Sequence, residues 1–416
     1  MRVNSNPRAM GVVGAGIVGL STAWFLQERG VEVTVFDRTG PAGGASRGNA
    51  GWITPSLSTP LPEPAIFSHG IRRFFRPTSP LYVPYPPGPD LVAFLARLAR
   101  NSTRRRWRAS MRSLVHLNGQ ALDAYDMLAA DGVDHAPREA DPFVIGCVDP
   151  SEAEAFLTEA RRLGEVGQQV LVERLAVAEA RAMVPLLSTR IRAALRLGGQ
   201  RRLDPAAFVT ALAERVIDRG GVLRVGREVT SVRDRAGRTE VTAGDLAEEF
   251  DGVVLAGGAS LNALAGEFGV RARVRAGRGY SFTVAAEPMP PGPVYFPAAS
   301  VVCTPLGDRM RIAGMMEFRP DDAPLDTRRI AAIVESVRPL LQGVNLDDRR
   351  DEWVGSRPCT ADGLPLIGRT TSPRVFVAGG HGMEGMTLGP ATGRLLAESI
   401  CTDTVPNRLM PFDPLR

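Results

Sequence analysis

Residues 12–37 read VVGAGIVGLSTAWFLQERGVEVTVFD, and this stretch decides the fold. An apolar run enters the turn Gly14-Ala15-Gly16-Ile17-Val18-Gly19, a helical pattern carries the chain to Gly30, and a second apolar run closes on Asp37. Strand, glycine turn, helix and strand in that order form the context in which a GxGxxG run means dinucleotide binding. Gly14 allows the tight turn, Gly16 lets the backbone approach a pyrophosphate, and Gly19 lets the helix pack on its strand. Ile17 and Val18 fall in the first helical turn, whose free N–H groups and positive end attract phosphate. Asp37 stands about 20 residues on, where a carboxylate accepts from ribose hydroxyls; an acid there disfavours the 2′-phosphate of NADP. A plain glycine-rich turn is the alternative, and it accounts for neither the second strand nor its terminal acid.

Working outward, 416 residues suit about two domains, or one core with a large insertion. With 44% hydrophobic and 23% charged residues the composition is that of a globular protein. No run reaches the roughly 18 apolar residues of a membrane span. MRVNSNPRAM leads straight into the first strand without a secretory signal, so a cytoplasmic protein is expected, with peripheral contact at the inner membrane face left open. Cys147, Cys303, Cys359 and Cys401 are dispersed, as are His69, His116, His135 and His381, so neither a metal site nor a disulfide framework is expected. All 50 basic residues are arginine, which excludes Schiff-base chemistry and a lysine base. Net charge is +5. The one dense basic run, Arg104-Arg105-Arg106-Trp107-Arg108, would suit nucleic acid or an anionic membrane surface. It reads better as the solvated face of a helix, and no nucleic-acid partner is expected.

After Asp37 and Arg38, residues 40–53 are too glycine-rich for a regular element and supply backbone N–H groups for close approach to a ligand. Residues 55–89 are punctuated by proline and read as irregular, a stretch that either covers a cavity or touches a membrane. Helical spacing follows over 90–131, a strand over 143–148 and a helix over 151–175. Residues 205–219 form an amphipathic helix broken by Gly220-Gly221; a strand at 222–225 and a small meander from Val229 come next. A buried strand from 251 runs into Gly257-Gly258. Strands at 274–284 and 310–316 and a helix at 328–341 read as a second layer. A last strand from 374 meets Gly379-Gly380-His381-Gly382, then Met383-Glu384-Gly385-Met386-Thr387 and a helix at 391–400. Three strand-to-glycine turns, near 14, 256 and 379, thus predict a mixed α/β, discontinuous Rossmann-like domain from 8–60, 200–265 and 350–405. An antiparallel-sheet substrate domain from 61–199 and 266–349 would be inserted into it.

The fingerprint, ASRGNAGWITPS at 45–56, GRGYSFTV at 277–284, WVGSRPCTADGLPLIG at 353–368 and GGHGMEGMTLGPATGRLLAE at 379–398 together resemble the flavin-dependent D-amino acid dehydrogenases. More broadly they resemble the D-amino acid oxidase, glycine oxidase and sarcosine oxidase superfamily. The match is nearly end to end, loose only at 55–89 and 151–197. It implies non-covalent FAD rather than NAD. Gly14, Gly16, Ile17, Val18, Gly19, Asp37 and Arg38 would hold the ADP half. Ala45, Ser46, Asn49, Ala50, Gly51 and Trp52 would line the pyrophosphate and ring, and Val229, Gly257 and Gly258 would make further contacts. Gly379, His381, Gly382, Met383, Gly385 and Thr387 would lie on the flavin side, where the helix N-terminus stabilises negative charge on the reduced ring.

The resemblance also implies that Arg357 clamps a substrate carboxylate, a pairing that guanidinium geometry favours. Tyr280 would lie close to the substrate or pack on its sheet, and His381 would face the ring or orient the turn. The chemistry implied is hydride transfer from Cα to flavin N5, giving an imine that hydrolyses to a 2-oxo acid and ammonia. Glu384 and Met386 depart from the bulkier apolar residues of that family, and Glu384 facing the cavity would select a cationic or secondary amine. Without a flavin-side lysine the balance tips toward a dehydrogenase passing electrons to a quinone. An oxidase of glycine or sarcosine forming hydrogen peroxide is one alternative. A flavoprotein of tRNA modification is another, supported only by the run 104–108.

Overall fold

The computed structural model describes residues 7–64, 76, 78–235 and 237–416. Ala9–Val13 is almost wholly buried, as a strand covered on both faces must be. It pairs in parallel with Glu32–Asp37 on one side and Gly252–Leu255 on the other. The full sheet runs Val222–Val225, Glu32–Asp37, Ala9–Val13, Gly252–Leu255, Val375–Gly379 and Leu366–Arg369, with only the last strand antiparallel. Three distant parts of the chain therefore meet, and their glycine turns gather at the carboxyl ends of neighbouring parallel strands.

One face is covered by the helices Ile17–Gln27, Pro205–Asp218, Ala121–Ala130 and Gly385–Thr402, which share a core that includes Trp24, Phe25, Tyr125, Phe208 and Leu395. The first and last of these cross closely because Gly393 has no side chain: a Cβ there would lie 2.7 Å from the Thr22 nitrogen. The other face is covered by the meander Ser231–Arg235, Arg238–Ala243 and Leu246–Phe250 around Phe36, Val241 and Phe250.

A nine-stranded, mostly antiparallel sheet forms the second layer. Near one end of it, Arg275–Val284 lies between Arg350–Cys359 and Arg309–Glu317. The helix Thr327–Val337 packs on it through Ile330, Ile333 and Val337. Arg350–Cys359 thus belongs to this layer, although the spacing of the glycine turns grouped it with the first; its ten residues run antiparallel to Arg275–Val284.

Other differences have local causes. The helical stretch at 90–131 is three helices, Pro89–Asn101, Arg104–Asn118 and Ala121–Ala130. The helix from 151 ends at Gly164, because the chain turns through Gly167 at φ +95° before the strand Val172–Leu175. The last helix begins at Gly385 and runs through Pro390. Proline has no N–H for the carbonyl four residues back. The buried Tyr125 hydroxyl donates to that Met386 carbonyl instead, at 2.5 Å.

In the arginine run, Trp107 is buried while Arg104, Arg105, Arg106 and Arg108 face solvent. Of the stretch 55–89, expected to cover the cavity or touch a membrane, residues 65–75 and 77 lie outside the described residues, and with them His69. Among the described residues no helix is long and apolar enough to cross a membrane.

Candidate active site

The glycine turns open on one cavity of about 1110 Å³, lined from both large sheets and running from Asp37 to Arg357. That exceeds the roughly 300–1,000 Å³ of ordinary small-molecule sites, leaving room for a dinucleotide and a second ligand.

At one end stands the first glycine turn. Gly14 has φ +115°, and a Cβ on it would lie 2.5 Å from the Ala256 carbonyl oxygen. A Cβ on Gly19 would lie 1.9 Å from the Gly14 oxygen, so Gly19 serves packing and stands behind the cavity lining. Gly16 differs: a Cβ there would meet nothing nearer than Ser46 Oγ at 3.5 Å. Its helix carries no acid in the first turn and no side-chain cap on Gly16. Ile17 and Val18 line the cavity, and Ile17 N–H donates to Ser46 Oγ at 3.3 Å.

Asp37 is more occupied than a ribose acceptor needs to be. Its Oδ1 accepts from the Thr39 and Gly40 backbone N–H groups, both at 2.8 Å, and from the Thr39 hydroxyl at 3.0 Å. Oδ2 accepts from the Ala15 N–H at 2.7 Å. The carboxylate ties the turn to the following loop, and Oδ2 keeps acceptor capacity for a hydroxyl. Arg38 lines the same end and pairs with Asp321 at 3.3 Å.

The loop after Asp37 is held by the second layer. Arg311 Nη1 donates to the Arg47 and Asn49 carbonyls at 3.1 and 3.0 Å, and Ser281 Oγ donates to the Gly48 carbonyl at 2.9 Å. Ala45, Ser46, Asn49, Ala50 and Trp52 line the cavity. Gly51, at φ +78°, sits behind them against Leu203. Val229, Gly257 and Gly258 complete this wall.

Toward the other end, Gly379, Gly382, Met383, Gly385 and Thr387 line the cavity where the Gly385–Thr402 helix begins without a side-chain cap. Thr387 Oγ1 accepts from the Thr54 N–H at 3.4 Å. His381 is buried, with Nε2 2.8 Å from Thr392 Oγ1. Burial pushes its pKa down to about 4, so the ring is neutral near pH 7.

Arg357 is placed by an irregularity. Arg278 pairs with Glu317 but Tyr280 pairs with Gly314, so Met315 and Met316 together oppose Gly279. Such a bulge re-aims the groups beside it. Met315 takes φ +62°, and its carbonyl accepts from Arg357 Nη1 at 2.8 Å. Among the described residues no carboxylate lies within 4.0 Å of the Arg357 guanidinium, which retains donors for a ligand. Tyr280 is among the residues lining the cavity, but its side chain packs in the core of the second layer and its hydroxyl donates to Glu317 at 2.6 Å. Glu317 is fully buried among Arg278, Arg319 and Arg329.

Residues 10–399 match the family described as FAD dependent oxidoreductase. The chain belongs to the FAD-dependent oxidoreductase family. It is 31% identical over 403 residues to a D-amino acid dehydrogenase of Xanthobacter autotrophicus, covering 94% of each chain. To a D-amino acid dehydrogenase of Cereibacter sphaeroides it is 32% identical over 400 residues, covering 94% of this chain and 91% of that one. A crystal structure of glycine oxidase from Geobacillus kaustophilus shares the fold with a TM-score of 0.76 at 21% identity, covering 99% of both chains. The protein is a flavin enzyme, and its cofactor is FAD.

The residues present fit that group. The open position at Gly16, the acid-free helix start beside it and the second uncapped helix start at Gly385 offer N–H groups and positive ends at separated points of one cavity. Sequence reasoning did not find Gly279, Met315, Ser58, Glu63 or Arg311. Gly279 lay in a quoted motif, but its need for space appears only once the Arg357 guanidinium lies across it. Glu63 carried no signal, being one acid in a proline-rich stretch; burial raises its pKa to about 7.

Proposed function

We propose that this flavin enzyme oxidatively deaminates a D-amino acid or a closely related amine carboxylate, and that its electrons pass to an acceptor other than oxygen, such as a quinone. The observation that carries the reading is Arg357. It is a guanidinium with unpaired donors inside a cavity whose far end is built for a dinucleotide. A bidentate pair with a substrate carboxylate fixes position and rotation together. The two D-amino acid dehydrogenase relatives support the substrate class.

FAD, when bound, supplies the acceptor for the hydride leaving the substrate Cα. The protein's own residues do the rest. Arg357 anchors the carboxylate, Met315 and Gly279 hold Arg357, and Trp52 is among the residues that wall the cavity. Held so, the substrate reacts with little further loss of freedom, the largest contribution a positioning site makes. The helix starts near Gly16 and Gly385 favour negative charge on the pyrophosphate and on the electron-rich end of the cofactor. His381 is neutral and bonded to Thr392; it orients the turn. No cysteine is among the residues lining the cavity, which supports non-covalent binding. The absence of lysine supports the dehydrogenase over an oxidase.

The test is anaerobic bleaching of the oxidised band at about 450 nm by D- and L-amino acids, D-proline, glycine and sarcosine. Bleaching by D-amino acids with slow recovery in air is expected. Stoichiometric hydrogen peroxide would make the enzyme an oxidase, and no bleaching by any of them would overturn the substrate class.

A further inference from the structure

Glu384 is the N-cap of the last helix and lines the cavity on the same wall as Arg357. An antiparallel bridge between Cys359 and His381 brings their two segments alongside each other, yet no ion pair forms between the two charged groups. A zwitterionic substrate carries complementary charges, a carboxylate for Arg357 and an ammonium for Glu384.

The surroundings of Glu384 suit both of its charge states. Ser58 is fully buried, and its Oγ lies 2.6 Å from Glu384 Oε2 and 3.2 Å from the Thr54 carbonyl oxygen. With Glu384 ionised, Ser58 donates to Oε2. With a proton on Oε2, the acid donates to Ser58 Oγ, and the Ser58 proton turns to Thr54. Neither state leaves a buried polar atom unpaired, which is the condition for a group to change charge inside a protein at low cost.

We propose that Glu384 receives the substrate's amino group and accepts its proton, with Ser58 turning its hydroxyl between Glu384 and Thr54 as the charge changes. This rests on the amine-carboxylate reading above. One N–H bond of the ammonium breaks and one O–H bond forms on the Glu384 carboxyl. The nitrogen keeps the electron pair, which is what makes the Cα hydride transferable. Arg357 supplies the timing. Its charge favours ionised Glu384 until the substrate carboxylate neutralises it, and the proton affinity of Glu384 then rises as the ammonium arrives.

The other titratable groups here are few. His381 stays neutral, with its pKa pushed down to about 4, and the Cys359 thiol is pushed up to about 12, both by burial. The Tyr280 hydroxyl is bound to Glu317, and the Tyr295 phenol is pushed up to about 12. Among the described residues only Glu63 shares the cavity and the pH range of Glu384; for both, burial raises the pKa to about 7, with Ser58 and Arg357 opposing the rise at Glu384.

The experiment titrates holoenzyme with benzoate, a carboxylate without an amine, from pH 6 to 9, following the flavin spectrum. Benzoate on Arg357 requires protonated Glu384, so affinity should fall up to tenfold per pH unit above about 7. Glu384→Gln should abolish that slope, and Glu63→Gln should keep it. Ser58→Ala retains the carboxyl but removes a donor to its ionised form, and should move the midpoint up by about one pH unit. In amino acid bleaching, Glu384→Gln should slow reduction about 100-fold at pH 7 and move the alkaline limb toward the free amine's own pKa. A slope unchanged in Glu384→Gln, or absent from the wild type, overturns the proposal. Failure of the substrate reading shows separately, as no bleaching by any amine carboxylate.

Discussion

A Cβ on Gly279 would lie 2.2 Å from Nη2 of Arg357, so the guanidinium lies across a position that only glycine leaves open. Gly279→Ala should therefore displace Arg357 without touching the dinucleotide end. Carboxylate binding should weaken about 10- to 100-fold, as expected for losing hydrogen bonds to a charged group, while FAD stays bound. Benzoate titration of the variant checks this. Arg357→Leu should cost more, on the order of 3–5 kcal/mol in kcat/KM. Equal benzoate affinity in both variants and the wild type would move the carboxylate site elsewhere.

Gly16 and Gly19 separate a ligand requirement from a folding requirement. A methyl group at Gly16 meets only Ser46 Oγ at 3.5 Å, and its φ of −79° is one that any residue adopts. Gly16→Ala should fold normally yet bind FAD at least about tenfold more weakly (about 1.4 kcal/mol), because the methyl occupies the pyrophosphate's approach. Gly19→Ala places its methyl 1.9 Å from the Gly14 oxygen and should disturb the turn itself. Circular dichroism and FAD titration of the two apoproteins distinguish them. A Gly16→Ala variant that keeps full affinity would remove the phosphate from that helix.

Tyr125 and Pro390 make a compensating pair across two helices. Tyr125→Phe leaves the buried Met386 carbonyl without a donor and should cost about 1–3 kcal/mol of stability. Pro390→Ala restores the helix's own N–H to that carbonyl. In the Pro390→Ala background the Tyr125→Phe cost should shrink to a few tenths of a kcal/mol, and a double-mutant cycle by denaturant unfolding reads the difference. Additive costs would mean that the hydroxyl serves something else.

The dinucleotide end was legible because each of its requirements is local. A turn, a helix start and a strand end lie within 26 residues, and glycine or acid at fixed offsets carries the chemistry. Gly257 and Gly379 were legible for the same reason, as glycines closing apolar strands. The substrate end is built from non-local registers. Gly279 matters only beneath the Arg357 guanidinium, Met315 only through a bulge, and Ser58 only because Glu384 approaches it from 326 residues away. None of these leaves a periodicity or a motif of its own. The helix start at Gly385 was hidden by Pro390, whose usual penalty is offset by a tyrosine on another helix. Asp37 was read correctly as an acid closing its strand, but its backbone bonds to Ala15, Thr39 and Gly40 depend on how the turn closes over it.

His381 gives a pH dependence with a definite sign. Burial lowers its pKa from 6.5 to about 4 in the folded protein, so between those values the unfolded chain binds the extra proton. Its contribution is fully present above about pH 6.5 and is lost as the pH falls toward 4, by about 3 kcal/mol in total. Glu63 and Glu384 run the opposite way. Burial raises their pKa values from 4.5 to about 7, so they favour the folded state at low pH and lose that contribution as the pH rises through this window. The wild-type profile alone mixes these trends, and the informative quantity is the stability difference between wild type and His381→Gln. Loss of the Thr392 bond gives that difference a constant offset. Imidazole titration should then shrink it by about 3 kcal/mol between pH 7 and pH 4. Parallel stability curves would show that the ring is charged or solvated in the folded protein, and that the turn carrying Gly379 and Gly382 is held some other way.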